Sequence, residues 1–317
     1  MRKKIKLIAL GAGNNLGKLV GMLLRKDIGL KFYNHFFERA PYALIKLMVR
    51  FIHLPARNYN WEILLANGKK VCTKIDGSNI KTSQFALSYK WHSPSLNFIE
   101  KLLIQHSPPT SPWVDVGANL GLRSLLALSE GRMVYMIEPN QELNAINSER
   151  CAMNHFSNYE IISMGASDTN GTAEFYIDES SYNSSLNTAI LQNNVLDRKE
   201  VISLDSLDSI FSSLTHPPIA IKIDVEGHEM QVLKGAEQLI KRWYPPIIVE
   251  VNLVSNNFNA FNGLMKNYGY SLFQIKSYGQ NKYLKTVLFE DTNRPETNDF
   301  LAVKNIELSK ILKSYCV

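Results

Sequence analysis

The chain has 317 residues, of which 45% are hydrophobic and 20% are charged. This composition is typical of a globular protein with a sizeable core and excludes collagen-like, disordered and disulfide-rich chains. The formal net charge is +6, but residues 1–60 hold twelve Lys or Arg and only two Asp or Glu, which leaves the rest mildly acidic. Cys72, Cys151 and Cys316 are widely spaced and form no zinc pattern. They favour free thiols in a reducing compartment, so we expect a cytoplasmic protein.

Residues 1–60 are predicted to form a basic, largely helical N-terminal extension. Within residues 41–54, Lys46, Arg50 and His53 share one helix face, and apolar side chains cover most of the remainder. Such a helix packs on the main domain or makes a peripheral membrane contact, and the sequence leaves both open. The basic charge also suits an anionic partner, either phospholipid head groups or nucleic acid. No apolar run reaches the ~18–20 residues of a transmembrane helix.

Residues 61–109 are predicted to form a β-hairpin and a helix that lead into the main domain. Trp61–Ala66 and Lys70–Ile75 flank Asn67-Gly68, a strong signal for a hairpin turn. Leu96–Gln105 is the predicted helix.

From residue 110 to residue 317, short apolar runs alternate with helical patterns. This alternation predicts right-handed crossovers and a mostly parallel sheet. The last two strand patterns have no helix between them, which predicts an antiparallel hairpin at one sheet edge. Residues 178–200 are rich in Ser and Asn and are interpreted as a surface loop or lid. The predicted elements are strands Trp113–Val116, Met133–Ile137, Ile161–Met164, Ile219–Asp224, Ile247–Val251, Tyr270–Ile275 and Thr286–Glu290, and helices Leu120–Leu128, Gln141–Asn154 and Glu229–Trp243.

The strongest motif is WVDVGANLG, residues 113–121, in which a buried strand runs into a glycine-rich turn and then a helix. Gly117 and Gly121 remove side chains where the backbone must bend sharply and approach a ligand. Parallel sheets bind ligands beyond the carboxyl ends of their strands, and this turn follows such an end. A turn that needs glycine only for its geometry is the alternative, because nucleotide-binding folds in general use one.

Acidic residues follow the next two predicted strands. Glu138 lies 17 positions beyond Gly121, where a carboxylate can accept hydrogen bonds from ribose hydroxyls. Asp168 could accept a hydrogen bond from an exocyclic amine such as that of adenine, with Ala166 and Ser167 giving backbone contacts. A solvated strand-end carboxylate and an Asx-type turn are the respective structural alternatives.

The segment IKIDVEGHE, residues 221–229, is the densest group of ionisable residues at a strand end. Lys222, Asp224 and Glu226 would share one face if the strand continued. Burial of three ionisable groups there costs free energy unless they are paired with opposite charges or take part in function. His228, at a helix start, can exchange a proton near neutral pH. We therefore predict that the catalytic residues are these four.

Taken in order, the motifs resemble those of the FkbM family of methyltransferases. The resemblance implies an α/β, class I methyltransferase (Rossmann-like) fold, with a seven-stranded, mostly parallel sheet and an antiparallel C-terminal hairpin behind the N-terminal extension. The matching stretches are VDVGANLGL (114–122), YMIEPN (135–140), GASDTNGTAEFY (165–176), VISLDSL (201–207), IKIDVEGHEMQVLKGAEQLI (221–240) and PPIIVEV (245–251).

The resemblance further implies S-adenosylmethionine as the cofactor. Its methionine part would lie against the glycine-rich turn, its ribose on Glu138 and its adenine beside Asp168. The expected cofactor contacts are Asp115, Gly117, Ala118, Asn119, Gly121, Glu138, Asn140, Ala166, Ser167 and Asp168.

The expected substrate site includes a loop and a strand end. Ser184 and Ser185 resemble a family serine pair near the substrate, and Glu250 and Asn252 follow the fifth predicted strand. The family often has His or Glu where Asn252 stands. No metal site is predicted, although Asp224 and Glu250 could together bind a divalent ion.

The resemblance thus implies methyl transfer to a hydroxyl of a sugar, glycan or other small natural product. Alignment in a water-excluding pocket would supply much of the catalysis. His228 is the first candidate for the general base and Asp224 the second. The alternatives are an NAD-dependent or nucleotide-sugar enzyme, an RNA methyltransferase that uses the basic extension, and a non-catalytic membrane-associated binding protein. The extension lacks clustered aromatic residues, so no specific nucleic-acid partner is predicted.

Overall fold

The computed structural model describes residues 58–76, 94–178, 186, 196–251, 257–276, 284–287 and 297–316. They fall into two compact units, the second of which begins at Pro94. In the first unit, β1 (Asn58–Leu64) pairs antiparallel with β2 (Lys70–Asp76), which confirms the predicted hairpin. Gly68 has the positive φ, 86°, that its turn requires. The predictions for residues 1–57 lie outside the described residues.

The second unit contains eleven described strands and eight described helices. The strands are β3 (Trp113–Val116), β4 (Val134–Ile137), β5 (Tyr159–Ile162), β6 (Gly165–Ala166), β7 (Gly171–Asp178), β8 (Leu196–Asp205), β9 (Ala220–Ile223), β10 (Ile247–Glu250), β11 (Ser271–Ile275), β12 (Leu284–Val287) and β13 (Asp299–Val303). The helices are α1 (Pro94–Gln105), α2 (Leu125–Ser129), α3 (Gln141–Met153), α4 (Leu207–Ile210), α5 (Glu229–Lys234), α6 (Glu237–Trp243), α7 (Asn257–Asn267) and α8 (Ile306–Lys313).

Eight strands form the main sheet, in the spatial order β12-β11-β13-β10-β9-β3-β4-β5. The five strands from β10 to β5 in that order are parallel to one another. Strand β13 lies between β10 and β11 and is antiparallel to both, and β12 extends the edge as the antiparallel partner of β11. The predicted mostly parallel sheet and its C-terminal hairpin are therefore confirmed.

The centre of the sheet is covered on both faces, and most of its side chains are apolar. All four residues of β3 and all four of β9 are buried. Val114 and Val116 share one core cluster with Ile221 and Ile223 of the neighbouring strand. Strands buried on both sides are expected to be nearly continuous hydrophobic runs, which is why these segments were recognisable.

Two predicted helices differ from those observed. The helix predicted over Leu120–Leu128 begins only at Leu125, because Gly121 has a φ of 62° that a right-handed helix cannot contain. The helix predicted over Glu229–Trp243 is two helices, α5 and α6. It breaks at Gly235, where a Cβ would lie 1.9 Å from the carbonyl oxygen of Ser167.

A smaller sheet of order β6-β8-β7 follows β5. It overlaps residues 178–200, which were predicted to be a loop: residues 196–200 belong to β8 instead. The antiparallel register pairs Lys199 with Tyr176 and Val201 with Glu174, and the Lys199 ammonium lies 2.6 Å from the Glu174 carboxylate. Such cross-strand pairing stabilises a strand whose own sequence is too polar to predict one.

Candidate functional site

A cleft of about 600 Å³ opens at the carboxyl ends of the parallel strands, the edge at which open α/β sheets bind ligands. Seven of the predicted site residues line it: Gly117, Asn119, Glu138, Ala166, Asp224, Glu226 and His228. Apolar side chains line much of the rest: Ile137, Pro139, Leu143, Met164, Phe175, Leu186 and Ile202.

The glycine-rich turn after β3 bends through left-handed backbone. Gly117, Asn119 and Gly121 have φ values of 70°, 53° and 62°. A Cβ on Gly117 would lie 1.9 Å from the carbonyl oxygen of Asp224, and one on Gly121 would lie 2.6 Å from Oδ1 of Asn147. The turn therefore needs glycine both for its dihedral angles and for its close packing on two neighbouring segments. Ala118, within the turn, is buried and donates its N–H to the carbonyl of Ile137 (3.1 Å).

Lys222 and Asp115 lie beneath this turn. Lys222 Nζ donates to the carbonyl oxygen of Gly117 (3.0 Å) and lies 3.2 Å from Asp115 Oδ1 and 3.4 Å from Asp224 Oδ2. Asp115 is fully buried and also accepts a hydrogen bond from the Ser124 hydroxyl (2.7 Å). Burial alone would lower the pKa of Lys222, but Asp115 and Asp224 raise it above its ordinary range. Lys222 is therefore a permanent cation that holds the turn.

Helix α3 supports the same turn with two side chains that the sequence motifs did not single out. Asn147 Nδ2 donates to the carbonyl of Asn119 (2.8 Å), and the buried Arg150 guanidinium donates to the carbonyl of Leu120. Both are buried polar side chains on the inner face of a helix. Their signal in the sequence is weak: a polar residue where an amphipathic helix should be apolar.

Glu138 joins the turn to the end of β4. Its side chain is 5% exposed. Oε2 accepts from the N–H of Asn119 (2.8 Å) and Oε1 from the N–H of Asn140 (2.9 Å). Burial raises the pKa of Glu138 to about 7, and the two N–H groups act against this rise. Asn140 itself caps α3, because its Oδ1 accepts from the N–H of Glu142 (3.0 Å).

The segment after β5 contacts the predicted catalytic segment directly. His228 Nε2 lies 2.9 Å from Oγ of the buried Ser167, and that hydroxyl lies 3.3 Å from Asp168 Oδ1, to which it donates. Burial lowers the pKa of His228, and the charge of Asp168 partly opposes the shift. His228 is therefore neutral at physiological pH and can accept a proton. Ala166 is buried beside this pair and lines the cleft, whereas Asp168 is exposed.

The loop 224–228 joins β9 to α5 and carries further acidic groups. Glu226 and Gly227 have positive φ values of 51° and 98°. Burial and Asp224 raise the pKa of Asp299 to about 6. Of the acids at this end of the sheet, Asp224 and Glu226 line the cleft.

A buried ion pair that was not predicted lies behind the turn. Arg123 donates to Oδ1 of Asn97 (2.6 Å) and lies 3.5 Å from Glu100 Oε1. Burial raises the pKa of Glu100 to about 7, against the effect of Arg123. Helix α1, which precedes the first motif, thus contributes a counter-charge to the segment that carries the glycine-rich turn.

Other predicted residues lie elsewhere. Ser184, Ser185 and Asn252 lie outside the described residues, and Glu250 is exposed at the end of β10. Within the described ranges, no group of three or more His, Cys, Asp or Glu side chains is placed to hold a metal ion. None of the helices in that part of the chain is long and apolar enough to cross a membrane.

Four features together define a class I methyltransferase fold. They are the strand order, the glycine-rich turn after β3, the acid at the end of β4 and the antiparallel strand inserted beside β10. Residues 115–272 match the family model described as the methyltransferase FkbM domain. This part of the chain therefore belongs to the FkbM methyltransferase family.

Similar solved structures are distant in sequence. A methyltransferase FkbM from Methylobacillus flagellatus is 16% identical to this chain, with a TM-score of 0.44. The match covers 87% of this chain and 60% of that one, so this chain spans about three fifths of that protein's length. A SAM-dependent methyltransferase from Agrobacterium tumefaciens is 8% identical (TM-score 0.42, 78% and 70% covered). Magnesium protoporphyrin IX methyltransferase from Synechocystis, with bound SAM, is 10% identical (TM-score 0.38, 71% and 83% covered). The comparison with curated proteins gave no match.

Proposed function

We propose that this protein transfers a methyl group from S-adenosylmethionine to a hydroxyl of a sugar, glycan or other small natural product. The observation that carries the proposal is the convergence of three elements on one cleft. These are the glycine-rich turn at Gly117, the carboxylate of Glu138 and the loop that contains Asp224 and His228. The family that residues 115–272 match supports the same reaction class.

The residues of the cleft fit this cofactor. Glu138 has two carboxylate oxygens with lone pairs beyond those used by Asn119 and Asn140, so it can also accept from a ribose diol. The apolar wall, which includes Leu143, Met164 and Phe175, suits a flat heteroaromatic ring. Asp224 and Glu226, which line the cleft, complement the positive charge of a sulfonium.

The cofactor supplies an electrophilic methyl group, so the protein must align the acceptor, exclude water and remove one proton. We propose His228 as the base. When Ser167 donates to Asp168, His228 donates from Nε2, which leaves the lone pair of Nδ1 free to take the acceptor proton. Lys222 cannot take this role, because Asp115 and Asp224 hold it protonated.

Cofactor binding tests the first half of the proposal. Titration calorimetry should detect binding of S-adenosylmethionine and S-adenosylhomocysteine by the wild-type protein. We expect Glu138→Ala to weaken it by about 100-fold, because two N–H groups and the ribose all lose a charged acceptor. Glu142→Ala, an exposed acid one turn away, is the matched control and should bind normally. If NAD raised the melting temperature of the protein and S-adenosylmethionine did not, the alternative of an NAD-dependent enzyme would be favoured.

Methyl transfer tests the base. Tritium-labelled S-adenosylmethionine and a panel of free and nucleotide-linked monosaccharides would report turnover. We expect His228→Gln to lower kcat by about 100-fold or more while cofactor affinity is retained. Near-normal turnover in His228→Gln together with a large loss in Asp224→Asn would transfer the role of base to Asp224.

A further inference from the structure

Glu229 is a buried carboxylate that faces its own loop. It is the first residue of α5 and is 3% exposed. Its Oε1 accepts a hydrogen bond from the N–H of Gly227 at 2.6 Å. Burial raises the pKa of Glu229, and the N–H groups of Gly227, Glu229 and Val225 act against this rise. The other oxygen, Oε2, is buried with no hydrogen-bond partner within the described residues, so the carboxylate is tied to the loop 224–228 through Gly227.

The loop itself has a backbone conformation that needs support. Glu226 is a non-glycine residue in the left-handed region with a φ of 51°, and Gly227 follows with a φ of 98°. A residue such as Glu226 keeps this conformation only where the surrounding structure imposes it, and such residues cluster at functional sites. Successive N–H groups in turns of this kind form a concavity that binds an anion. Here the side chain of Glu229 accepts from one such group, the N–H of Gly227.

A simple helix-dipole role does not explain this burial. An acid that only favours the N-terminus of a helix can remain in solvent. Glu237 illustrates this: it is the first residue of α6, its side chain is 51% exposed, and it pairs with Lys241 one turn later. Glu229 instead turns inward, at the cost of dehydration, to meet Gly227.

We propose that Glu229 is the positioning residue of the loop 224–228, which it fixes so that Asp224, Glu226 and His228 line the cleft. Glu229 acts through the backbone of that loop and leaves the cofactor-binding turn to other side chains. Only the role of this loop in methyl transfer rests on the proposed function.

Amide exchange on the full chain with S-adenosylhomocysteine present, read by NMR, tests the positioning. In Glu229→Ala we expect the exchange rates of residues 225–228 to rise about 10- to 100-fold, because a charge-assisted hydrogen bond is lost. Affinity for S-adenosylhomocysteine should stay within about threefold of wild type, since Glu138 and the glycine-rich turn are untouched. Glu229→Gln, whose amide oxygen can still accept from Gly227, should restore most of the protection. Glu237→Ala is the control and should change neither quantity.

Turnover provides the second measurement. With any acceptor that the wild-type protein methylates, Glu229→Ala should lower kcat about 100-fold, the loss expected from a misplacement of about 1 Å. Equal exchange rates for residues 225–228 in Glu229→Ala and Glu237→Ala would overturn the proposal. A loss of exchange protection throughout the second unit, with cofactor affinity lost in parallel, would also overturn it, because Glu229 would then support only the fold. A wild-type protein that binds no S-adenosylmethionine would refute the proposed function, whereas the exchange comparison would still judge the role of Glu229.

Discussion

Two loops meet at the carboxyl edge of the sheet, and they are held in different ways. The turn 117–121 follows β3 and is supported by side chains distant in sequence: Lys222 donates to Gly117, and Asn147 donates to Asn119. The loop 224–228 follows the adjacent strand β9, and the adjoining Glu229 closes it. Both contain non-glycine residues in left-handed conformation. The side chains that support the first come from distant elements, whereas Glu229 is adjacent in sequence to the loop that it contacts.

The difference indicates which measurements each loop should affect. The supports of the first loop come from β9 and α3, so damage to them should reduce stability and cofactor affinity together. The support of the second loop is local, so damage to it should change turnover more than affinity. Lys222 connects the two, because the same ammonium contacts the Gly117 carbonyl and the Asp224 carboxylate.

The largest expected effect comes from filling the space beside Gly117. In Gly117→Ala, the new Cβ would overlap the carbonyl of Asp224 at 1.9 Å in a backbone with a φ of 70°. We expect a loss of at least about 3 kcal/mol in the free energy of unfolding and no measurable cofactor binding. Gly131→Ala is the matched control, since Gly131 has a φ of 73° and no atom within 4 Å of the added Cβ. It should lose only about 1 kcal/mol. Denaturant unfolding of both variants gives the comparison, and equal losses would show that the two loops are not packed this closely.

Removal of the shared cation should have the next largest effect. Lys222→Met leaves the fully buried Asp115 without its cation, and breaking a buried pair in this way costs about 3–5 kcal/mol. We expect a lower melting temperature and weaker binding of S-adenosylhomocysteine. Lys241→Met, at an exposed pair, should leave both unchanged. The double variant Asp115→Asn/Lys222→Met should recover part of the lost stability, because no lone charge stays buried. If Lys222→Met is as stable as Lys241→Met, the ion pair does not hold the turn.

The same contrast explains what the sequence could and could not predict. The glycine-rich turn, Glu138 and the loop 224–228 were identified because each directly follows a short apolar strand, and the carboxyl ends of parallel strands share one edge. Their arrangement around one cleft follows from that rule alone. The mostly parallel sheet was predicted for the same reason, since its strands are buried on both faces and alternate with helices.

The supports of the turn could not be predicted because they depend on tertiary contacts. Nothing in the local sequence says that Asn147 reaches the carbonyl of Asn119, or that Glu100 of α1 faces Arg123. Strand β13 was missed for a related reason. A short apolar run such as Asp299–Val303 fits a strand or a buried helix equally well until its partners are known.

The smallest expected effect concerns the contact between His228 of the second loop and the segment after β5. Burial lowers the pKa of His228 below its ordinary value, and the negative charge of Asp168 raises it. A base must be unprotonated, so the rate should fall as the pH drops through a value below the ordinary range of histidine. Asp168→Asn removes the charge that favours the imidazolium, so the acidic limb of the kcat profile should move to lower pH.

An NMR titration of the His228 imidazole should shift in the same direction in Asp168→Asn, and this measurement requires no acceptor. Glu160→Gln, an exposed acid on β5, is the control and should change neither curve. An acidic limb that stays in place while the imidazole titration moves would assign the rate-limiting proton to a group other than His228, with Asp224 as the next candidate. Movement of both together would tie the proton transfer to the contact among His228, Ser167 and Asp168, and would show that this second loop depends on one tertiary contact in addition to Glu229.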